Sequence, residues 1–211
     1  MKIKAAVFGS TGLVGQQIVE ILQSMDEVET IYSYARKPPM FLGKKMVFKP
    51  FKTDEFSISE DTDVVFCALG TTIKKAGSKE DFKEVDLLAV KRIAEKCAET
   101  NTSRLGIVSS IGADATSNNF YLRTKGKMEE TVRKAELKHT VFIRPSLLLG
   151  KRNEKRLGED IGKILLKPLS FIMIGPLKQY RPVKAIKVAQ TLVKETLRSS
   201  QKVKIIENTA L

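Results

Sequence analysis

The chain has 211 residues, 42% apolar and 29% charged, with 37 basic against 24 acidic side chains and a formal net charge of +13. This composition supports a deep core and excludes a disordered or collagen-like chain, because 13 Gly and 7 Pro are too few for a linker. Cys67 and Cys97 lack paired spacing and His139 is the only histidine, so a disulfide scaffold, a metal site and a Ser-His-Asp hydrolase are all excluded as expectations.

Strand-like apolar runs alternate with helical patterns, which reads as repeated strand-helix-strand units. Ile3–Phe8 is a buried strand, followed by a glycine turn and a helix over Leu13–Ser24 that is apolar at Leu13, Val14, Ile18, Ile21 and Leu22. Val28–Tyr34 is a second strand, Met46–Phe48 a short third and Asp63–Leu69 a fourth. A long helix is expected over Phe82–Glu99, then a strand over Leu105–Ser109, a helix over Phe120–Ala135 and a strand over Thr140–Arg144 that Pro145 stops. Helices around 158–166 and 183–199 and a last strand, 203–206, complete the chain. The expected architecture is α/β: one doubly wound parallel domain over 1–211, with 151–181 as its irregular, substrate-side part. Such sheets bind ligands beyond the carboxyl ends of their strands.

Three motifs carry chemistry. Gly9-Ser10-Thr11-Gly12-Leu13-Val14-Gly15 lies in a strand-turn-helix context. There glycines let the backbone approach a pyrophosphate, whose charge then sits on the helix N-terminus. At the end of the second strand, an NAD-binding chain usually holds an acid for the ribose hydroxyls. Here Ala35 is followed by Arg36 and Lys37, and a guanidinium suits a 2′-phosphate where a carboxylate would repel it, so NADP is expected over NAD. Third, Tyr121 and Lys125 are one helical turn apart, and an ammonium beside a phenol favours the phenolate needed for proton transfer. Ser109 and Ser110 end the preceding strand, where a hydroxyl can orient a substrate carbonyl.

Together GSTGLVG, the CALGTT segment at 67–72, IVSSIGADATSNNFYLRTKGKMEE at 107–130 and FIRPSLLLGKR at 142–152 resemble the short-chain dehydrogenase/reductase superfamily. Within it they resemble the atypical NmrA-like and Tat-interacting-protein-like oxidoreductases. The resemblance implies a Rossmann-like fold and bound NADPH. It implies Tyr121 as proton donor or acceptor, Lys125 on the nicotinamide ribose, and a serine that polarises the substrate, placed at Ser110 with Ser109 as the alternative. It sets Leu69, Gly70 and Thr71 against the cofactor and Pro145 to Leu148 beside the nicotinamide. The serine-tyrosine interval is short for the superfamily, and 151–181 matches no substrate signature. The branch also includes members that bind NADPH without turnover, so a redox sensor acting on a protein partner is the second expectation.

The charge is uneven: residues 1–120 hold 16 basic and 16 acidic side chains, and 121–211 hold 21 and 8. A basic half can serve nucleic acid or an anionic membrane face, but no nucleic-acid signature accompanies it, so this is the weakest of the three readings. The expected partner is a small-molecule substrate of unidentified class. The last helix or the apolar 165–177 stretch leaves a homodimer open. Met1-Lys2-Ile3-Lys4 runs straight into an apolar segment, and no run reaches the ~18 apolar residues of a membrane helix. The expected location is therefore cytoplasmic.

Overall fold

A computed structural model describes residues 2–40, 42–150 and 175–211. The first half contains β1 (Ile3–Phe8), α1 (Leu13–Ser24), β2 (Val28–Ala35), β3 (Met46–Pro50), β4 (Val64–Cys67), α2 (Ile73–Ala76) and α3 (Lys79–Lys83). A π-helical turn, Glu84–Leu88, leads into α4 (Ala89–Glu99). There follow β5 (Arg104–Val108), α5 (Phe120–Arg133), β6 (His139–Arg144), β7 (Leu148–Leu149), β8 (Val183–Lys184), α6 (Ala185–Arg198) and β9 (Val203–Glu207).

Seven strands form one parallel sheet in the order β3-β2-β1-β4-β5-β6-β9, while β7 and β8 pair separately. Period-2 alternation divides the core. Ala5 and Val7 of β1 face a layer with Ile18 and Leu22 of α1 and Val188 and Leu192 of α6. Ala6 and Phe8 face the other layer, with Val90, Ile93 and Cys97 of α4 and Met128 and Val132 of α5. Both faces are thus covered by helices, as an all-parallel sheet requires. The doubly wound α/β reading holds, and strand order reverses between β1 and β4, where ligands of such sheets bind.

Two differences from expectation have local causes. The long helix begins before Phe82: Ser78 caps α3 by accepting the Asp81 N–H at 2.9 Å, and the π turn then joins α3 to α4. The two-residue strands Leu148–Leu149 and Val183–Lys184 are too short to leave a periodic signal. The expected helix around 158–166 and most of the apolar 165–177 stretch lie outside the described residues.

Candidate functional site: a nucleotide cradle beside a buried lysine

The glycine turn joins β1 to α1 at the strand-order reversal. Gly9 has φ +76°, and a side chain there would also place Cβ 2.8 Å from the Ala68 carbonyl oxygen, so only glycine fits. The Gly12 N–H donates to the Gly9 carbonyl at 2.9 Å, closing the turn, and Gly15 packs on that same carbonyl. Gly12 precedes α1 in an extended conformation, no side chain caps the helix, and its first turn carries no acid. A dinucleotide needs close backbone approach, amides without side-chain partners and no competing carboxylate, and this turn supplies all three. The residues fit the group.

Around that turn, Thr11 and Gly12 are exposed, Leu13 is half-buried, and Val14 belongs to the core. Ser10 points inward: its hydroxyl donates to the Tyr34 carbonyl at 3.3 Å and accepts from Ser33 at 2.8 Å. The Gly9 N–H donates to the same Tyr34 carbonyl at 3.0 Å, tying the turn to the end of β2. Arg36 and Lys37 follow directly and are exposed. Beyond β4, Gly70 is exposed, Leu69 and Thr71 are half-buried, and the Thr71 N–H donates to Asp86 Oδ2 at 2.9 Å.

The α5 helix carries the second group of residues. Asn119 caps it, its Oδ1 accepting from the Tyr121 and Leu122 amides at 2.9 and 3.2 Å. Gly126 lets α5 lie directly on the loop after β5, since a Cβ there would fall 2.1 Å from the Ala115 nitrogen. Tyr121 is half-buried, with its ring centroid 5.6 Å from that of Phe82. Lys125 is 4% exposed, and its Nζ lies 2.7 Å from Asp86 Oδ1. Burial opposes its charge, but the Asp86 carboxylate and the Tyr121 oxygen outweigh that, so Lys125 stays an ammonium above the ordinary lysine range.

The two serines divide. Ser109 donates to Glu129 Oε1 at 2.6 Å, and Glu129 is also gripped by Arg144 through Nε at 2.9 Å and Nη2 at 2.7 Å. Among the described residues the Ser110 hydroxyl makes only a local bond, donating to the Ile111 carbonyl at 3.3 Å. Of these two hydroxyls, that of Ser110 is the less committed. Pro145 is buried and its carbonyl accepts the Ile111 N–H at 3.0 Å, which places Pro145 against the serine loop. Leu148 lies in β7. Cys67 ends β4 as a buried core residue.

Asp86 and Glu129 were not among the residues singled out from the sequence. A signal exists for Asp86: Phe82, Ala89, Val90, Ile93 and Cys97 form the apolar stripe, and Asp86 falls on it. A carboxylate at a core position needs a partner, and only the fold supplies Lys125. Among the described residues no group of His, Cys, Asp and Glu could hold a metal ion, and no helix is long and apolar enough to cross a membrane.

Among solved structures, the chain is similar to MoeE5 in complex with UDP-glucose and NAD, with TM-score 0.72 and 12% identity, over 96% of this chain and 74% of that one. It is similar also to UDP-N-acetylglucosamine 4-epimerase from Methanobrevibacter ruminantium M1, with TM-score 0.71 and 14% identity, over 98% of this chain and 77% of that one. At these identities the likeness carries the fold alone. Curated relatives include protein FMP52, mitochondrial, of Candida albicans, 37% identical over 80% of this chain and 83% of its own length. Protein FMP52-1, mitochondrial, of Scheffersomyces stipitis is 31% identical over 95% of this chain and 91% of its own length.

These relatives' names overturn the cytoplasmic expectation. Composition and apolar patterning do not distinguish one compartment from another, because organelle addresses are read by receptors and not fixed by packing. Residues 9–164 match the family described as NAD(P)H-binding. The chain belongs to this NAD(P)H-binding family and has the Rossmann-like fold of the short-chain dehydrogenase/reductase superfamily that its motifs resemble.

Proposed function

We propose that the protein is an NADP(H)-dependent oxidoreductase that interconverts a small carbonyl compound and its alcohol. The observation that carries this reading is the buried Lys125 ammonium on the helix of Tyr121, one loop from Ser110 and at the same sheet edge as the glycine turn. The turn Gly9, Ser10, Thr11, Gly12, Leu13, Val14 and Gly15 would hold the pyrophosphate, its glycines shaping the close approach and the first amides of α1 facing the charge, and Arg36 with Lys37 would hold the 2′-phosphate. Leu69, Gly70, Thr71, Pro145 and Leu148 would line the rest of the cofactor cleft. When bound, the nicotinamide supplies or accepts hydride.

The chain's own groups do the remaining work. Ser110 Oγ donates a hydrogen bond to the substrate oxygen and orients its carbon. Tyr121 Oη gives the proton in reduction and takes it back in oxidation. Lys125 offsets the negative charge left on Tyr121 Oη when the proton departs, and its Nζ is the group for the nicotinamide ribose. The whole chain acts as one nucleotide-binding domain. A mitochondrial location is part of this reading, supported by likeness to the relatives named mitochondrial.

Fluorescence titration with NADPH and NADH, followed by turnover assays of Tyr121→Phe, tests the reading. Tight NADPH binding that survives Tyr121→Phe, with turnover reduced about 100- to 10,000-fold, is the expected result. Failure to bind either nucleotide overturns it. A second reading, an NADPH-binding regulator without turnover, is favoured by one observation: Lys125 Nζ is already committed to Asp86 at 2.7 Å. In that case Tyr121→Phe changes neither nucleotide affinity nor partner binding, and no substrate is turned over by the wild type.

A further inference from the structure

We propose that Asp86 is a positioning residue that fixes the charge of Lys125 and couples it to the Gly70–Thr71 loop, so that the cofactor loop and the lysine respond as one unit. The coupling rests on the nucleotide-binding reading above; the fixing of charge does not.

The Asp86 side chain is only 1% exposed, and its two oxygens serve two different elements. Oδ1 lies 2.7 Å from Lys125 Nζ on α5, and Oδ2 accepts the Thr71 N–H at 2.9 Å from the loop after β4. A Cβ built on Gly70 would stand 3.7 Å from Oδ1, so the Gly70–Thr71 backbone lies directly over the carboxylate. Asp86 sits in the π-helical turn Glu84–Leu88, a widened turn of the kind that gathers at functional sites. Within one apolar stripe, the π turn therefore presents a carboxylate where the neighbouring turns present Phe82, Val90 and Ile93.

Burying two opposite charges costs more solvation than an apolar pair of the same size would, so stability alone does not account for this arrangement. What the pair provides is a lysine whose charged form is favoured and a loop that cannot shift without pulling on its carboxylate. The charged or titratable groups acting on Lys125 come from three elements: Asp86 from the π turn, Tyr121 from α5 and Cys67 from β4. With the Asp86 charge removed, burial is the dominant influence left and drives the ammonium towards its neutral form. Wild-type Lys125 is held above the ordinary lysine range, and in Asp86→Asn it should lose its proton at lower pH than in wild type. The amide of Asp86→Asn still offers an oxygen to the Thr71 N–H, so the variant removes the charge while preserving the tether.

The test follows the side-chain Cε resonances of labelled lysine against pH in wild type and Asp86→Asn, with Lys125 assigned by its absence from Lys125→Arg. NADPH affinity is measured across the same pH range. The expected result is a Lys125 resonance in Asp86→Asn that titrates below the ordinary lysine range, with NADPH affinity falling about tenfold or more over the same interval. Wild-type affinity would show no such step. A Lys125 resonance unchanged by the substitution overturns the proposal, and one that shifts while NADPH affinity stays flat overturns the coupling. If wild type binds no NADPH, the functional reading and the coupling fall together, and the lysine resonance alone decides whether Asp86 fixes the charge. Should Asp86→Asn not fold, hydrogen exchange on wild type decides the coupling: NADPH must slow exchange at the Thr71 amide, and unchanged exchange overturns it.

Discussion

Arg36 follows directly on β2, close to the Tyr34 carbonyl that holds the glycine turn, and is exposed. A bound adenosine ribose would meet a guanidinium there instead of a carboxylate. On the proposed reading, Arg36→Glu would remove a charge-assisted contact of ~1.5–3 kcal/mol and supply an acceptor for ribose hydroxyls, so the NADPH:NADH affinity ratio should fall about 10- to 150-fold. Paired titrations of wild type and variant read this directly, and an unchanged ratio would place the 2′-phosphate elsewhere. Ser10 shows what sequence position does not reveal at this scale. It stands inside the glycine motif, yet its hydroxyl is tied to Ser33 and Tyr34, so Ser10→Ala should loosen the turn without removing a ligand for the cofactor.

At the scale of elements, α5 is placed by contacts its own sequence does not announce. Gly126 brings the helix onto the backbone of Asp114 and Ala115, and Glu129 fastens its next turn to Ser109 and Arg144. Gly126→Ala would force a methyl into backbone 2.1 Å away. The helix must then lift, and the strain should cost about 1–3 kcal/mol, read as a lower urea midpoint. Because Tyr121 and Lys125 ride on that helix, turnover, which on the proposed reading needs both residues, should fall more steeply than nucleotide affinity, which needs Lys125 alone. Equal losses in both would mean that the displaced Lys125 accounts for the whole effect.

For the whole molecule, the parallel sheet buries ionisable groups that set its behaviour in alkali. Burial pushes the Cys67 thiol from 9.0 up to about 11 and the Tyr34 phenol from 10.0 up to about 12. Both are acids held neutral in the fold, so their contribution to stability is complete below pH 9 and is lost as pH rises towards 12. Denaturation midpoints should therefore fall from pH 9 upward, and Cys67→Ala should lose less of its stability between pH 9 and 11 than wild type does. Parallel losses in the two proteins would show that Cys67 is not among the titrating groups. In the native state below pH 9 neither Cys67 nor Cys97, both buried, should react with an alkylating agent.

The alternation of strands and helices, the glycine turn and the basic end of β2 were legible in the sequence because each is written in neighbouring residues. Helix α1 begins and ends where its apolar spacing begins and ends, and β1 is an unbroken apolar run. Tyr121 and Lys125 were legible too, being one helical turn apart. Only the tertiary structure decided that Lys125 is buried against Asp86, that Ser109 is taken up by Glu129 while Ser110 is not, and that Ser10 turns away from the site. The reason is physical. Periodicity follows from backbone geometry over a few residues, whereas the burial of a charge becomes tolerable only when a partner distant in the chain is folded against it.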